Sequence, residues 1–391
     1  MNVSVFTIGR FYHFDLARQL LRQGHGMRLF TSNPPTHVDA DLRPLAQTHW
    51  RYRIPFAIAD RLGFGAQFYW LDEVLLKDLG RWTKRSLDLD WTDVFHALDG
   101  TGPTAGRFVR ANGKLWVCDR ACTHLLTQKE ILDAEYKDWG LKPPQFAPDR
   151  LERCVAEYEE SHGVTVPSQF AKRSFLAHGI PENRIFVCPY GVDLSEFRKG
   201  EKRDTKFRVI FVGQITIRKG IGHLLRAVEP LVKSNRMELW LVGQIDGAVR
   251  PILDRYPGVF EYKGVSPRKD LWQLYSQASV LVLPSVEEGF GLVQAQAMAC
   301  GVPVIATENT GAEDLFTNGV EGFIVPARSP EAIREKLEWM MDNAEARDTM
   351  GAAALERVKS LGGWERYGDC VERAYRELAE RHGIPLHKKS R

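Results

Sequence analysis

Short apolar runs alternate with helical stretches from the first residues onward. Val3-Ser4-Val5-Phe6-Thr7-Ile8 predicts a strand and Gly9-Arg10 the turn that follows it. From Phe14 to Arg22, Leu16, Ala17, Leu20 and Leu21 recur at helical spacing, Gly24 stops the helix, and 27–31 returns to strand. One such βαβ unit implies a parallel sheet. Further strands are expected at 93–97, 115–118, 163–166 and 184–188, mostly with helices between. The stretch from 39 to 90 is less regular and rich in aromatic and basic side chains.

Around Leu194–Lys206 the pattern breaks. LSEFRKGEKRDTK is charged and has no apolar period, so it reads as a linker between domains. Alternation then restarts, with strands at 207–212, 238–242, 280–283 and 304–306 and helices at 221–228, 271–277 and 293–299. Long helices are expected over 330–361 and 365–382. The reading is α/β: two Rossmann-like, doubly wound parallel-sheet domains facing a cleft. The first covers 1–195 and the second 205–364, with a last helix at about 365–391 packing back on the first. In such sheets ligands bind beyond the carboxyl ends of the strands, so the loops there are where chemistry belongs.

Charge removes one class of function. With 53 basic and 50 acidic residues and a formal net charge of +3, the chain is not built to neutralise nucleic-acid phosphates. MNVSVFTIGR has no basic leader region and reads as a mature start. No run reaches the ~18 apolar residues of a membrane span. These features predict a cytoplasmic protein with reduced thiols, open to peripheral contact with the inner face of the membrane. Cys118, Cys122 and His124 lack a fourth ligand at zinc spacing, so no metal is expected.

The sharpest local signal is the segment from Pro284 to Ile305. A buried strand ends at Pro284, and Glu287-Glu288 open the loop. Gly289 and Gly291 flank Phe290 and let the backbone amides of Gly289–Leu292 approach a ligand, and a small-residue helix follows until Gly301 ends it. Amides at a helix start bind anions. Glu288 and Gln296, eight residues apart, are expected to be able to point toward that start. The plainer reading is a strand–turn–helix with two solvated glutamates, and spacing alone leaves both open.

This segment resembles the donor-binding signature of glycosyltransferase family 4, retaining enzymes of GT-B architecture. In them a Glu, seven intervening residues and a second Glu sit in an EGFG…EAMACGxPV context. The resemblance implies that Glu288 touches hydroxyls of the donor sugar. It puts the ribose-binding role on Gln296, where the family usually has Glu; Gln can still donate to and accept from hydroxyls. Phe211–Gly220 is similar to the family's VGR…KG element, whose cations grip the donor diphosphate. Lys219 matches, Gln214 stands at the usual Arg position, and Arg218 is the substitute beside the Lys. Fixed cations there would stabilise the charge that builds on a leaving nucleoside diphosphate. Pro189–Asp193 with Phe197 resembles the family's hinge, and 307–314 and 319–326 resemble its later motifs.

In the first half the resemblance is looser. Gly9, Arg10 and His13 follow the first strand, where the family keeps a loop near acceptor and phosphate. Asp119, Arg120 and His124 follow the strand at 115–118 and are expected to line the acceptor side, with His124 as a catalytic candidate. The dinucleotide fingerprint GxGxxG is absent, which counts against an NAD enzyme. Trp50–Arg85 suits an acceptor groove, a membrane-resting surface, or simple filling of the core. The implied activity is transfer of a sugar from a UDP- or GDP-linked donor to a saccharide or lipid-linked acceptor, without cofactor. The leaving phosphate is then implied to take the acceptor's proton. An epimerase, a phosphorylase-like enzyme and a non-catalytic nucleotide-sugar binder of the same plan are the alternatives.

Overall fold

The structure is a computed structural model that describes residues 1–9, 12–50, 54, 69–144 and 148–387. Arg10 and much of the Trp50–Arg85 stretch lie outside the described residues.

Among the described residues thirteen strands form two all-parallel sheets. In the first, β1 (Asn2–Thr7), β2 (Gly26–Thr31), β3 (Ala46–Thr48), β4 (Val94–Leu98), β5 (Leu115–Asp119), β6 (Gly163–Val166) and β7 (Ile185–Val187) take the order β3-β2-β1-β4-β5-β6-β7. The second holds β8 (Arg208–Val212), β9 (Glu238–Val242), β10 (Glu261–Gly264), β11 (Val280–Leu283), β12 (Val304–Thr307) and β13 (Gly322–Val325), ordered β10-β9-β8-β11-β12-β13. Two doubly wound sheets are the architecture the alternation predicts.

Both faces of the first sheet are covered, because alternate residues of one strand enter different cores. Val3 and Val5 pack in one cluster while Phe6 packs in another, and Leu29 and Phe30 divide the same way. The last helix, Gly363–Arg381, begins after the second lobe ends yet packs on the first sheet. Its buried Tyr367, Val371, Tyr375 and Leu378 recur at helical spacing and share a core with Val3, Leu16 and Leu29. The register β1–β2 runs Val3 against Met27 through Thr7 against Thr31, so both strands end level and their loops emerge on one side.

Some elements depart from the reading of the sequence. The single long helix expected over 330–361 is two helices, Pro330–Asp342 and Ala344–Ser360. They meet at Asn343, which leaves helical geometry with ψ at 64°. Within the stretch taken as irregular lies the helix Tyr69–Ser86.

Candidate active site

The strand order of the second sheet reverses between β8 and β11, so the loops after these strands flank its binding crevice. The loop after β8 carries Arg218 and Lys219 and ends at Gly220, whose φ of 68° starts the helix Ile221–Lys233. A side chain at Gly220 would collide with the Pro284 carbonyl, so its absence lets the two loops touch. The loop after β11 runs through Glu287, Glu288, Gly289 and Phe290 to Gly291, with φ of 67°, which starts the helix Leu292–Ala299.

Main-chain bonds fix this frame. The Val286 amide donates to the Arg218 carbonyl at 3.0 Å, and the Glu288 amide donates to the Asn309 carbonyl at 3.0 Å. Within it the Lys219 ammonium lies against the Glu288 carboxylate, and Arg218 Nη1 is 3.6 Å from the same oxygen. The structure therefore joins Arg218, Lys219 and Glu288 in one cluster beside the turn that opens the helix. Burial first and Arg218 second pull the Lys219 ammonium down to about 7. Contact with the Glu288 carboxylate favours the charged form. Cys122 and Glu287 oppose the pull without overcoming it.

Gln296 stands half-buried on the same helix, and its Oε1 accepts from the Tyr275 hydroxyl at 3.0 Å. Phe290 is buried and meets Tyr190, just after β7, edge-on at 5.4 Å. Leu292 is partly buried against the second lobe's core. A Cβ on Gly289 would stand 1.7 Å from the Ala121 carbonyl of the first lobe, so this glycine permits the close approach of the lobes.

The role of Glu287 was not foreseen from the residues. This glutamate is fully buried and bonds directly to the first lobe. Its Oε1 accepts from the Thr123 amide at 3.0 Å and hydroxyl at 2.8 Å, and its Oε2 accepts from Gln128 Nε2 at 2.8 Å. The same Oε2 accepts from Arg218 Nη1 at 3.2 Å. Burial alone would raise the Glu287 pKa; Arg218, then Gln128 and Thr123, more than offset it and hold the carboxyl below its ordinary range. Gln128 in turn accepts from Arg120 Nη2 at 2.8 Å, and Arg120 Nη1 donates to Asp99 at 2.7 Å. One polar chain thus runs from Asp99 inside the first lobe to the Arg218–Lys219–Glu288 cluster of the second.

The residues expected on the acceptor side are placed differently. Arg120 is 5% exposed and points inward along that chain. Asp119 is also buried; it accepts from Thr165 at 2.5 Å and pairs with His13 Nε2 at 3.0 Å, with His96 Nε2 at 3.7 Å. Burial would raise the Asp119 pKa, but hydrogen bonds from His13 and His96 lower it well below the carboxylate range. His13 is accordingly buried at the start of its helix, stacked on Tyr12, and does not line an open cleft. Gly9 is half-buried at the end of β1 and its carbonyl accepts from Thr7.

His124 is a helix cap and not a cleft residue. Its Nδ1 accepts from the Leu126 amide at 3.3 Å, opening the helix Leu125–Asp138, and its ring stacks on His178 at 4.1 Å. Burial, then His178 and Arg120, depress its pKa to about 3, and burial with His382 depresses that of His162 to about 4. Unfolded histidine titrates near 6.5, so between that pH and about 3 the unfolded chain binds protons the native chain refuses. The native contribution is complete above about pH 6.5 and is lost as pH falls. His124→Asn, which keeps a capping oxygen but cannot titrate, is expected to flatten the acid limb by roughly 1 kcal/mol per pH unit between about pH 6 and 4. Melting temperatures of both proteins across that range check this; parallel curves would remove the assignment.

Two family models match the chain, Glycosyltransferase Family 4 over residues 11–196 and Glycosyl transferases group 1 over 193–357. The chain belongs to the group 1, family 4 glycosyltransferases. Among this family's curated members, the D-inositol 3-phosphate glycosyltransferase of Nocardiopsis dassonvillei is 30% identical over 232 residues, 54% of this chain and 54% of that protein. The chain spans about half the length of the curated relatives it matches. The sucrose-phosphate synthase of Thermosynechococcus elongatus superposes with a TM-score of 0.72 at 20% identity, covering 97% of this chain and 100% of that one. Anabaena HepE, solved in complex with UDP-glucose, superposes at 0.67 with 16% identity over 98% of this chain and 99% of that one. These likenesses place the fold among GT-B structures. Among the described residues no helix is long and apolar enough to cross a membrane.

Proposed function

We propose that this chain transfers a sugar, with retention of anomeric configuration, from a nucleoside-diphosphate sugar to a saccharide or lipid-linked acceptor. The observation that carries the reading is the gathering of Arg218, Lys219 and Glu288 at the switch point of the second sheet, beside the helix that opens at Gly291.

A diphosphate seated there takes over from Glu288 as the anion facing Lys219. The helix start adds its amides and its positive end. Glu288, released from Lys219, is then free to accept from hydroxyls of the donor sugar. As the glycosidic bond breaks, the charge arriving on the diphosphate meets cations already in place, which is where such sites gain most of their rate. Gln296, steadied by Tyr275, offers its amide to the ribose. Uridine is the base we assign to the donor, in line with the UDP-glucose held by the Anabaena neighbour.

A melting screen against nucleoside diphosphates and their sugars tests this. A ligand at 100 times its dissociation constant adds about 2.7 kcal/mol, so UDP and a UDP-sugar should raise the melting temperature while uridine does not. No shift with any nucleoside diphosphate would overturn the reading.

A further inference from the structure

Two cysteines distant in sequence meet at the hinge. Cys188 directly follows β7 and is 1% exposed. Cys370 lies on the last helix, Gly363–Arg381, and is partly exposed. Their Sγ atoms are 2.9 Å apart, closer than sulfurs that merely pack, and Cys370 Sγ also donates to the Val187 carbonyl at 3.2 Å. Cys370 lines a cavity of about 350 Å³ together with Tyr190, Phe290, Arg357, Arg366 and Arg373, which gives a small reagent a route to it.

We propose that Cys188 and Cys370 form a reversible disulfide under peroxide, tying the last helix to the hinge strand. Nothing in the proposed transfer reaction uses either thiol. A covalent bond needs the sulfurs to close from 2.9 Å to about 2.05 Å, a movement of under 1 Å.

The two thiols have different chemistry. The hydrogen bond from Cys188 and the nearby Arg373 hold Cys370 down to about 7, although burial opposes them. Burial pushes Cys188 well above its ordinary value, and it likewise raises Cys118, Cys122, Cys154 and Cys300. Cys370 is therefore the thiolate that attacks and Cys188 the partner that resolves. The Cys370 sulfur attacks one peroxide oxygen, the O–O bond breaks, and a sulfenic acid forms as hydroxide leaves and is protonated. The Cys188 sulfur then attacks the sulfenic sulfur, giving the S–S bond as its proton and the hydroxyl leave as water. Overall two thiols lose two electrons to one hydrogen peroxide, which becomes two waters.

The site of the bond gives it a consequence. Gly191 of the hinge packs so tightly on Gly363 and Trp364 that a Cβ would stand 2.1 Å from the Trp364 amide. A cross-link from Cys188 to Cys370 fastens the same junction a second time and closes a long loop, so the oxidised chain should melt higher than the reduced one.

The test treats the full chain with hydrogen peroxide, alkylates remaining thiols with N-ethylmaleimide in denaturant, and maps the peptides. The expected result is two fewer alkylated thiols than the six of the reduced chain, one linked peptide joining Cys188 to Cys370, and full recovery after dithiothreitol. In Cys188→Ser the sulfenic acid on Cys370 should persist long enough to be trapped by dimedone. Six alkylated thiols after peroxide, or oxidation of Cys370 in the wild type with no linked peptide, would overturn the proposal. Should the variant fail to fold, mapping of the wild type still decides.

Discussion

Lys219→Ala should lower kcat/KM for the nucleotide sugar by about a hundredfold to a thousandfold, the usual cost of removing one preorganised group that meets transition-state charge. The loss should fall on turnover as well as binding, because charge on the diphosphate grows as the glycosidic bond breaks. Folding should change little. Glu288 keeps Arg218 at 3.6 Å when Lys219 is gone, and Arg218 loses a like-charged neighbour. Steady-state kinetics and a thermal melt on the same preparation check both halves. Normal turnover would remove Lys219 from the chemistry, and a collapse of the melt would make it a structural residue.

Glu287→Ala should cost about 3–5 kcal/mol of stability, since it leaves Arg218 without its buried partner and strands the Thr123 and Gln128 donors. Glu287→Gln should restore part of this, because its carbonyl oxygen can still accept from Thr123. A stronger check uses Gln128→Leu on the opposite lobe. Glu287 and Gln128 are hydrogen-bonded at 2.8 Å, so their effects should couple by more than about 0.5 kcal/mol in a double-mutant cycle. Additive effects in denaturant unfolding would mean that the contact between the lobes contributes nothing.

Much of this site could be read from residues alone. Strands such as Val280–Leu283 are buried along their whole length, and the glycines after them mark where loops must approach a neighbour. The glycines alone leave the plainer strand–turn–helix reading open; it is the resemblance of 211–220 and 284–305 to the family's donor-binding motifs that singles out Arg218, Lys219 and Glu288. The first lobe was harder for a physical reason. β5 is buried at every position, so it shows no alternation from which to tell which face Asp119 turns to. Asp119 and Arg120 looked like cleft residues because polar groups at a strand end usually are. In fact each has charged or hydroxyl partners from distant strands and helices, His13, His96 and Thr165 for one and Asp99 and Gln128 for the other. Such partners are far apart in the chain and leave no local trace. The bridging role of Glu287 was hidden likewise, since a Glu-Glu pair in a loop looks solvated.

The unpredicted strands β10 and β3 have other causes. β10 (Glu261–Gly264) is an edge strand whose Glu261 and Tyr262 are exposed, so it lacks the apolar run that marks its neighbours. β3 is only three residues long. The break at Asn343 interrupts a helical pattern that continues on both sides, and one residue in another conformation does not disturb a period read over many.

The account stands on a diphosphate held by Lys219, Arg218 and the start of the helix Leu292–Ala299. Calorimetric titration of UDP and uridine into the wild type and Lys219→Ala measures this directly. The expected result is a wild type that binds UDP at least about a hundredfold more tightly than uridine, roughly 2.7 kcal/mol, with most of that margin gone in the variant. Equal UDP affinity in the two proteins would contradict it.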